Sequence, residues 1–222
     1  MDALTDQLLS ASFLDWLAIL TSLLYVWLAA KDNNWCWLFA AISTSVWAWQ
    51  SFFEYQLVSD GLLQVFYFIM AGVGLWRWTR GQPNTPATSA DTVPGTTSMP
   101  STEDTSIQSM SFNEHLFVIG GGLLGGLALG FLFSNTLVAA ATYPDAITTV
   151  FSIITTFLLI SRRLENWLYW IVIDAVYVWI YGSTGAILFA LMMLINIGMA
   201  VYGYLNWRKE LSKPNTSVTS GV

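Results

Sequence analysis

The chain has 222 residues, of which 55% are hydrophobic and only 10% charged. An average soluble domain carries about a quarter charged residues, so lipid is the expected solvent, and the apolar runs leave no room for a separate soluble catalytic domain. The formal net charge of −6 comes from dispersed acids that form no run; it identifies no partner, and nucleic acid is not expected as one.

Crossing a hydrocarbon core takes about 17 to 25 apolar residues in a helix. Seven such runs are present, near 12–30, 35–53, 58–78, 115–135, 144–161, 166–182 and 185–207. The first follows Asp2 and Asp6 with no basic residue. It therefore reads as a retained helix, because a secretory signal opens on a positive segment. All eight Lys and Arg residues follow odd-numbered runs: Lys31, then Arg77 and Arg80, then Arg162 and Arg163, then Arg208, Lys209 and Lys213. The opposite loops hold Glu54, Asp60 and Asp145. Short basic loops stay in the cytoplasm, which puts the N-terminus outside and the C-terminus in the cytoplasm.

Within the second run, Ser43, Trp47, Gln50 and Glu54 share a helical face, and within the third so do Asp60, Gln64, Tyr67 and Gly74. Residues 81–111 are rich in Ser, Thr and Pro without a hydrophobic period, a composition that cannot bury enough surface to fold alone. They read as a flexible cytoplasmic tether. The fourth run places Gly121 and Gly125, Gly122 and Gly126, and Gly126 and Gly130 at small-xxx-small spacing, which lets helix backbones approach closely. It is expected to pack closely either between the two repeats or against a neighbouring protomer.

The sixth run opens as ENWLYWIVIDAVYVWIY, Glu165 to Tyr181, and puts Asn166, Trp170, Asp174, Tyr177 and Tyr181 on one stripe. Polar groups inside a bilayer are costly and mark function by default. The structural alternative is that Asn166 caps the helix and Asp174 makes a hydrogen bond that holds helices together. The seventh run offers Met192, Met193, Asn196 and Gly203.

Two short matches relate the halves. GLWRW at Gly74–Trp78 pairs with GYLNW at Gly203–Trp207, and NNWCW at Asn33–Trp37 pairs with ENWLY at Glu165–Tyr169. The expected fold is all-α, with seven transmembrane helices in a 3+1+3 arrangement of parallel repeats about an axis along the membrane normal. That alignment sets Asn196 opposite Tyr67 and Met193 opposite Gln64. The segments would be a first three-helix block (1–80), the linker (81–111), a linking helix (112–136), a second block (137–210) and a cytoplasmic tail (211–222).

A cavity between such blocks offers amides, one carboxylate and aromatic faces, with no Lys, Arg or His at mid-membrane depth. It suits a planar, cationic or hydroxyl-rich molecule through stacking and cation–π contact, and gives an anion no countercharge. Trp35, Trp37, Trp76, Trp78 and Trp207 lie near run ends and read as interface anchors. His115, beside Glu114 at the start of a run, reads as solvated or interfacial. No lysine lies within the last run to hold a retinal, and one histidine and one cysteine, Cys36, do not make a haem or metal site. No cofactor and no enzymatic activity are expected. A proton-coupled carrier would rest on Asp174 alone.

Asn166 and Trp167 opening the sixth run, the Trp170–Asp174 stripe, the segment DGLLQVFYFIMAGVGLWRW and the terminal GYLNWRK together resemble the PnuC family of bacterial nicotinamide riboside transporters, over residues 12–210. The long tether departs from the compact linker of that family. The resemblance implies a SWEET-like fold, a homotrimer in the inner membrane, and facilitated diffusion of nicotinamide riboside for NAD synthesis, with intracellular phosphorylation trapping the product. On this reading Trp170, Tyr177 and Tyr67 face the pyridinium, while Gln64, Asn196, Asn166 and Asp174 bind the amide and ribose hydroxyls. Trp47 and Gln50 are further candidates. The rival readings are a transporter of another cationic vitamin such as thiamine, and a membrane scaffold whose polar stripes only join helices.

Overall fold

The computed structural model describes residues 3–54, 58–80, 106–134 and 142–213. Its helices are α1 (Ala3–Ser10), α2 (Phe13–Ala30), α3 (Cys36–Trp49), α4 (Val58–Arg80), α5 (Phe112–Ser134), α6 (Thr142–Ile160), α7 (Asn166–Thr184) and α8 (Ile187–Leu211). A π-helical stretch, Gln50–Glu54, prolongs α3. The helices α2 to α8 coincide with the seven apolar runs; α1 was not expected. Among the described residues, α2, α5, α6 and α8 are long and apolar enough by themselves to cross a membrane. Large side chains such as Leu20, Phe68, Leu124, Val172 and Ile195 cover the outside, a surface that only lipid or another apolar partner can match. The chain is an all-helical, multi-pass membrane protein.

Six helices close into a ring. Neighbours in sequence pack in the order α2, α3, α4 and again α6, α7, α8, and the ring is completed where α4 meets α6 and α8 meets α2. Helix α5 lies outside it against α6. Gly122, Gly126 and Gly130 form a groove one residue wide, into which α6 sets Phe151, Ile147 and Tyr143 at the same four-residue spacing. A Cβ on these glycines would come within 2.5, 2.7 and 2.6 Å of those residues. Among the described residues this face packs on α6 alone, so α5 does not lie between the two halves as one of the expectations had it.

At the basic end the two halves meet in matching parts. After α2 and after α6 the chain turns through a residue of positive φ, Asp32 and Arg162, both at 52°. Asp32 N–H donates to Ala29 O and Asn33 N–H to Leu28 O; Arg162 N–H and Arg163 N–H repeat this on Leu159 O and Leu158 O. Trp37 lies on Gly74 as Trp167 lies on Gly203, each where a Cβ would clash. The true counterpart of Trp167 is therefore Trp37, two residues on from the pairing that the NNWCW and ENWLY match suggested.

Trp37, Trp78 and Trp207 are not interface anchors. They are 2%, 1% and 0% exposed and, with Trp167, form an unbroken run of ring contacts with centroids 5.2 to 6.1 Å apart. Position near a helix end cannot distinguish a tryptophan facing lipid headgroups from one facing another helix end. Trp35 and Trp76 are exposed, as an anchor would be.

Residues 81–105 of the expected tether, 214–222 of the tail, and the side chains of Glu54 and Asp60 lie outside the described residues. Residues 106–111 are docked. Gln108 N–H donates to Arg162 O and Leu164 N–H to Gln108 O, at 3.0 and 2.8 Å. The Glu165 carboxylate accepts from the Ser109 hydroxyl and from Met110 N–H at 2.8 Å. His115, half-buried, shares a 2.8 Å hydrogen bond with the Tyr169 hydroxyl.

Candidate functional site

Inside the ring is a cavity of about 320 Å³ to which all six helices contribute. That volume lies at the lower end of the range, roughly 300–1,000 Å³, of pockets that hold one small organic molecule. Seven of the nine residues singled out from sequence line it: Trp47 on α3, Gln64 and Tyr67 on α4, Trp170, Asp174 and Tyr177 on α7, and Asn196 on α8.

The other two are elsewhere. Gln50 is fully buried and donates through Nε2 to Asp15 Oδ1 at 2.6 Å, tying α3 to α2. Its backbone is still α-helical, with the N–H bonded back to Val46 O, so it keeps register with Ser43 and Trp47, and it is the bond to Asp15 that engages its amide. Asn166 is also fully buried, and its Nδ2 donates to the carbonyl of Arg163 at 2.6 Å. It holds the turn between α6 and α7 and does not cap the helix as the structural alternative supposed, since Glu165 occupies the N-cap and the Asn166 amide donates to a carbonyl.

The cavity is layered. Its floor toward the basic end is formed by Trp37 and Trp167. Toward the other end, Trp47 and Tyr181 both pack on Phe189, at 5.9 and 5.6 Å, and Tyr177 stacks on Tyr181 at 5.7 Å and 17°. Gln64, Asn196 and Asp174 supply polar groups to the cavity wall. The Asn196 Oδ1 is buried with no protein donor among the described residues, a group that a ligand can satisfy. Asp174, 6% exposed, is the one acid among the described residues that line the space, and no Lys, Arg or His joins it there.

Sequence reasoning missed the small hydroxyls. Ser22, Thr44, Ser152 and Thr156 also line the cavity. Ser22, Thr44 and Thr156 bond within their own helices, to Ile19 O, Ala40 O and Ser152 O, each at 2.8 Å, the ordinary behaviour of Ser and Thr in any membrane helix. A signal did exist in the repeat. Ser22 with Ser152, Thr44 with Asp174 and Trp47 with Tyr177 fall at matching positions once Trp37 is paired with Trp167.

Outside the spans, the Asp32 carboxyl is pushed above its usual range by burial, and the nearby Arg162 guanidinium pulls it partly back.

Residues 12–209 match the model of a family described as nicotinamide mononucleotide transporter. The nicotinamide riboside transporter PnuC of Neisseria mucosa is 25% identical over 211 residues, 91% of this chain and 74% of that protein. Its namesake from Haemophilus influenzae is 33% identical over 87 residues, 38% of this chain and 38% of that protein. A crystal structure of the vitamin B3 transporter PnuC shares the fold, with a TM-score of 0.70 at 22% identity over 94% of this chain and 86% of that one.

Proposed function

We propose that this chain, which belongs to the nicotinamide mononucleotide transporter family, carries nicotinamide riboside into the cytoplasm by facilitated diffusion. Its activity is transport and not catalysis. The family description refers to the mononucleotide and the relatives' names to the riboside. One observation favours the riboside: among the described residues, the cavity is lined by the carboxylate of Asp174 and by no cationic side chain. The riboside is a flat pyridinium cation bearing a ribose. The mononucleotide adds a phosphate, and burying that charge without a partner costs far more than stacking returns.

Trp170, Tyr177 and Tyr67 supply faces for the pyridinium, with Trp47 at the upper edge. Gln64 and Asn196 suit the carboxamide and ribose hydroxyls, and Asp174 supplies the countercharge. Asn166 and Gln50 leave this set and act as ties of the framework.

The arrangement is read as 3+1+3: α2–α4 and α6–α8 as parallel repeats, α5 linking them, in the SWEET-like manner. The matching turns at Asp32 and Arg162 and the paired closures α4–α6 and α8–α2 support it. Charge supports an inner-membrane orientation with the basic end in the cytoplasm. A homotrimer is the assembly the resemblance implies, surrounded by lipid. Transport would proceed by rocking of the two triplets about the cavity.

Calorimetric titration of the purified protein with riboside, thiamine and mononucleotide tests the substrate. Riboside is expected to bind and mononucleotide to give no heat at comparable concentration. Preferential binding of thiamine would replace the substrate, and preferential binding of mononucleotide would refute the charge argument.

A further inference from the structure

The basic end of the bundle is closed by contacts that run between the two helical triplets. Trp78, on α4, donates its indole N–H to the carbonyl of Ile160 at the end of α6, at 3.1 Å. Trp207, on α8, does the same to Ala29 near the end of α2, at 3.2 Å, and Asn206 Nδ2 reaches Ala30 O at 3.0 Å. Arg162 Nε lies 3.1 Å from Asp32 Oδ1, with its guanidinium 4.5 Å above the Trp78 ring. These bonds cross the two seams of the ring, α4 with α6 and α8 with α2. Trp37 and Trp167, by contrast, pack on glycines of their own triplets and line the cavity floor. The latched layer therefore sits between the cavity and the basic end.

Its bonds are of a kind that can part. The accepting carbonyls belong to the last turns of α2 and α6, where helix ends present groups that water can also satisfy. Each latch has a modest net value because water competes for both partners. Asp32 and Arg162 occupy equivalent turns with opposite charge, so they attract across the seam without either triplet depending on the pair for its own fold.

We propose that the indole latches of Trp78 and Trp207, together with the Asp32–Arg162 pair, are the cytoplasmic gate of transport, closed in this structure and parting to release substrate. The inference rests on the cavity being the transport site, but its test needs no substrate. In a Cys36→Ala background, a Ser152→Cys reporter in the cavity is labelled with a membrane-impermeant maleimide, applied separately to the cytoplasmic and the outer face of vesicles. Trp78→Phe and Trp207→Phe remove the N–H together with the fused five-membered ring, and labelling from the outer face separates an opened latch from packing lost throughout the bundle. Each is expected to speed cytoplasmic labelling about five- to tenfold, the population shift that loss of one net hydrogen bond allows. Asp32→Arg and Arg162→Asp should each do the same, and the double exchange should restore slow labelling, since the new arginine would lie toward Trp207 as Arg162 lies over Trp78. Unchanged labelling in both Phe variants, fast labelling in the double exchange, or acceleration from both faces would each overturn the gate, the last by showing a loosened bundle. Failure of riboside to bind would refute the substrate reading and leave the labelling result standing.

Discussion

Asp174 occupies an expensive position. Its carboxylate is buried in a membrane helix with no hydrogen-bond partner among the described residues, and a buried charge without a partner is destabilising. Such a group persists where its charge is used. Asp174→Asn keeps the shape and removes the charge, so riboside affinity should fall roughly tenfold to a hundredfold, the scale of a charge-assisted contact, while the melting temperature holds or rises. Calorimetry and a thermal melt on the same preparation check both halves. Gln64→Leu and Asn196→Leu remove amides that face the same space, and uptake into cells should collapse in variants that still reach the membrane. Normal uptake would move the site elsewhere. These residues were legible because a polar group recurring every three or four positions stands out against apolar neighbours. Thr156 was not, because a hydroxyl bonded to its own helix looks the same whether or not it faces a cavity. Gln50 misled because its helical register is regular while its amide is taken by Asp15 of α2, a partner that periodicity within one helix does not reveal.

Helix α5 shows how an element is held where no hydrophobic force drives helices together. Its glycine groove meets the α6 backbone itself: a Cβ on Gly126 would lie 2.7 Å from the Ile147 Cα, an atom that cannot swing aside. Gly126→Ala should therefore lower stability by about 1–3 kcal/mol, the usual cost of overpacking, despite the better helix propensity of alanine. Gly121→Ala, which would meet open space, should leave the melting temperature unchanged or slightly higher. A melt of the two variants in detergent decides whether the groove or the propensity dominates. The seven apolar runs foretold α2 to α8 because hydropathy over some twenty residues outweighs local accidents. Two elements escaped that test. Helix α1 is eight residues long and is anchored on the α7–α8 turn through Gln7, which donates to Gly185 O and accepts from Leu188 N–H. The docked stretch 106–111 is held largely through main-chain groups, which leave no pattern in composition.

At the scale of the molecule, the likeness of the two halves was legible in the tryptophan and glycine pairs of the basic end, Trp37 on Gly74 and Trp167 on Gly203, because close packing of a ring on a backbone tolerates little else. The register at the start of α3 slipped by two residues because NNWCW contains two tryptophans, and only the positions of Gly74 and Gly203 distinguish them. The proposed mode of transport also constrains energetics. A uniporter moving a pyridinium moves one positive charge per cycle, and Asp174, fixed to α7, does not cross with it. The inside-negative potential then acts on the substrate itself, at about 2.3 kcal/mol per 100 mV, or a tenfold accumulation for each ~60 mV. In proteoliposomes, a potassium diffusion potential set with valinomycin should raise the riboside plateau by that factor, and collapsing the potential should bring inside and outside concentrations level. Should the plateau ignore the potential, a second charge must travel with each riboside, and the exchange of a proton at Asp174 would become the mechanism to pursue in place of simple diffusion.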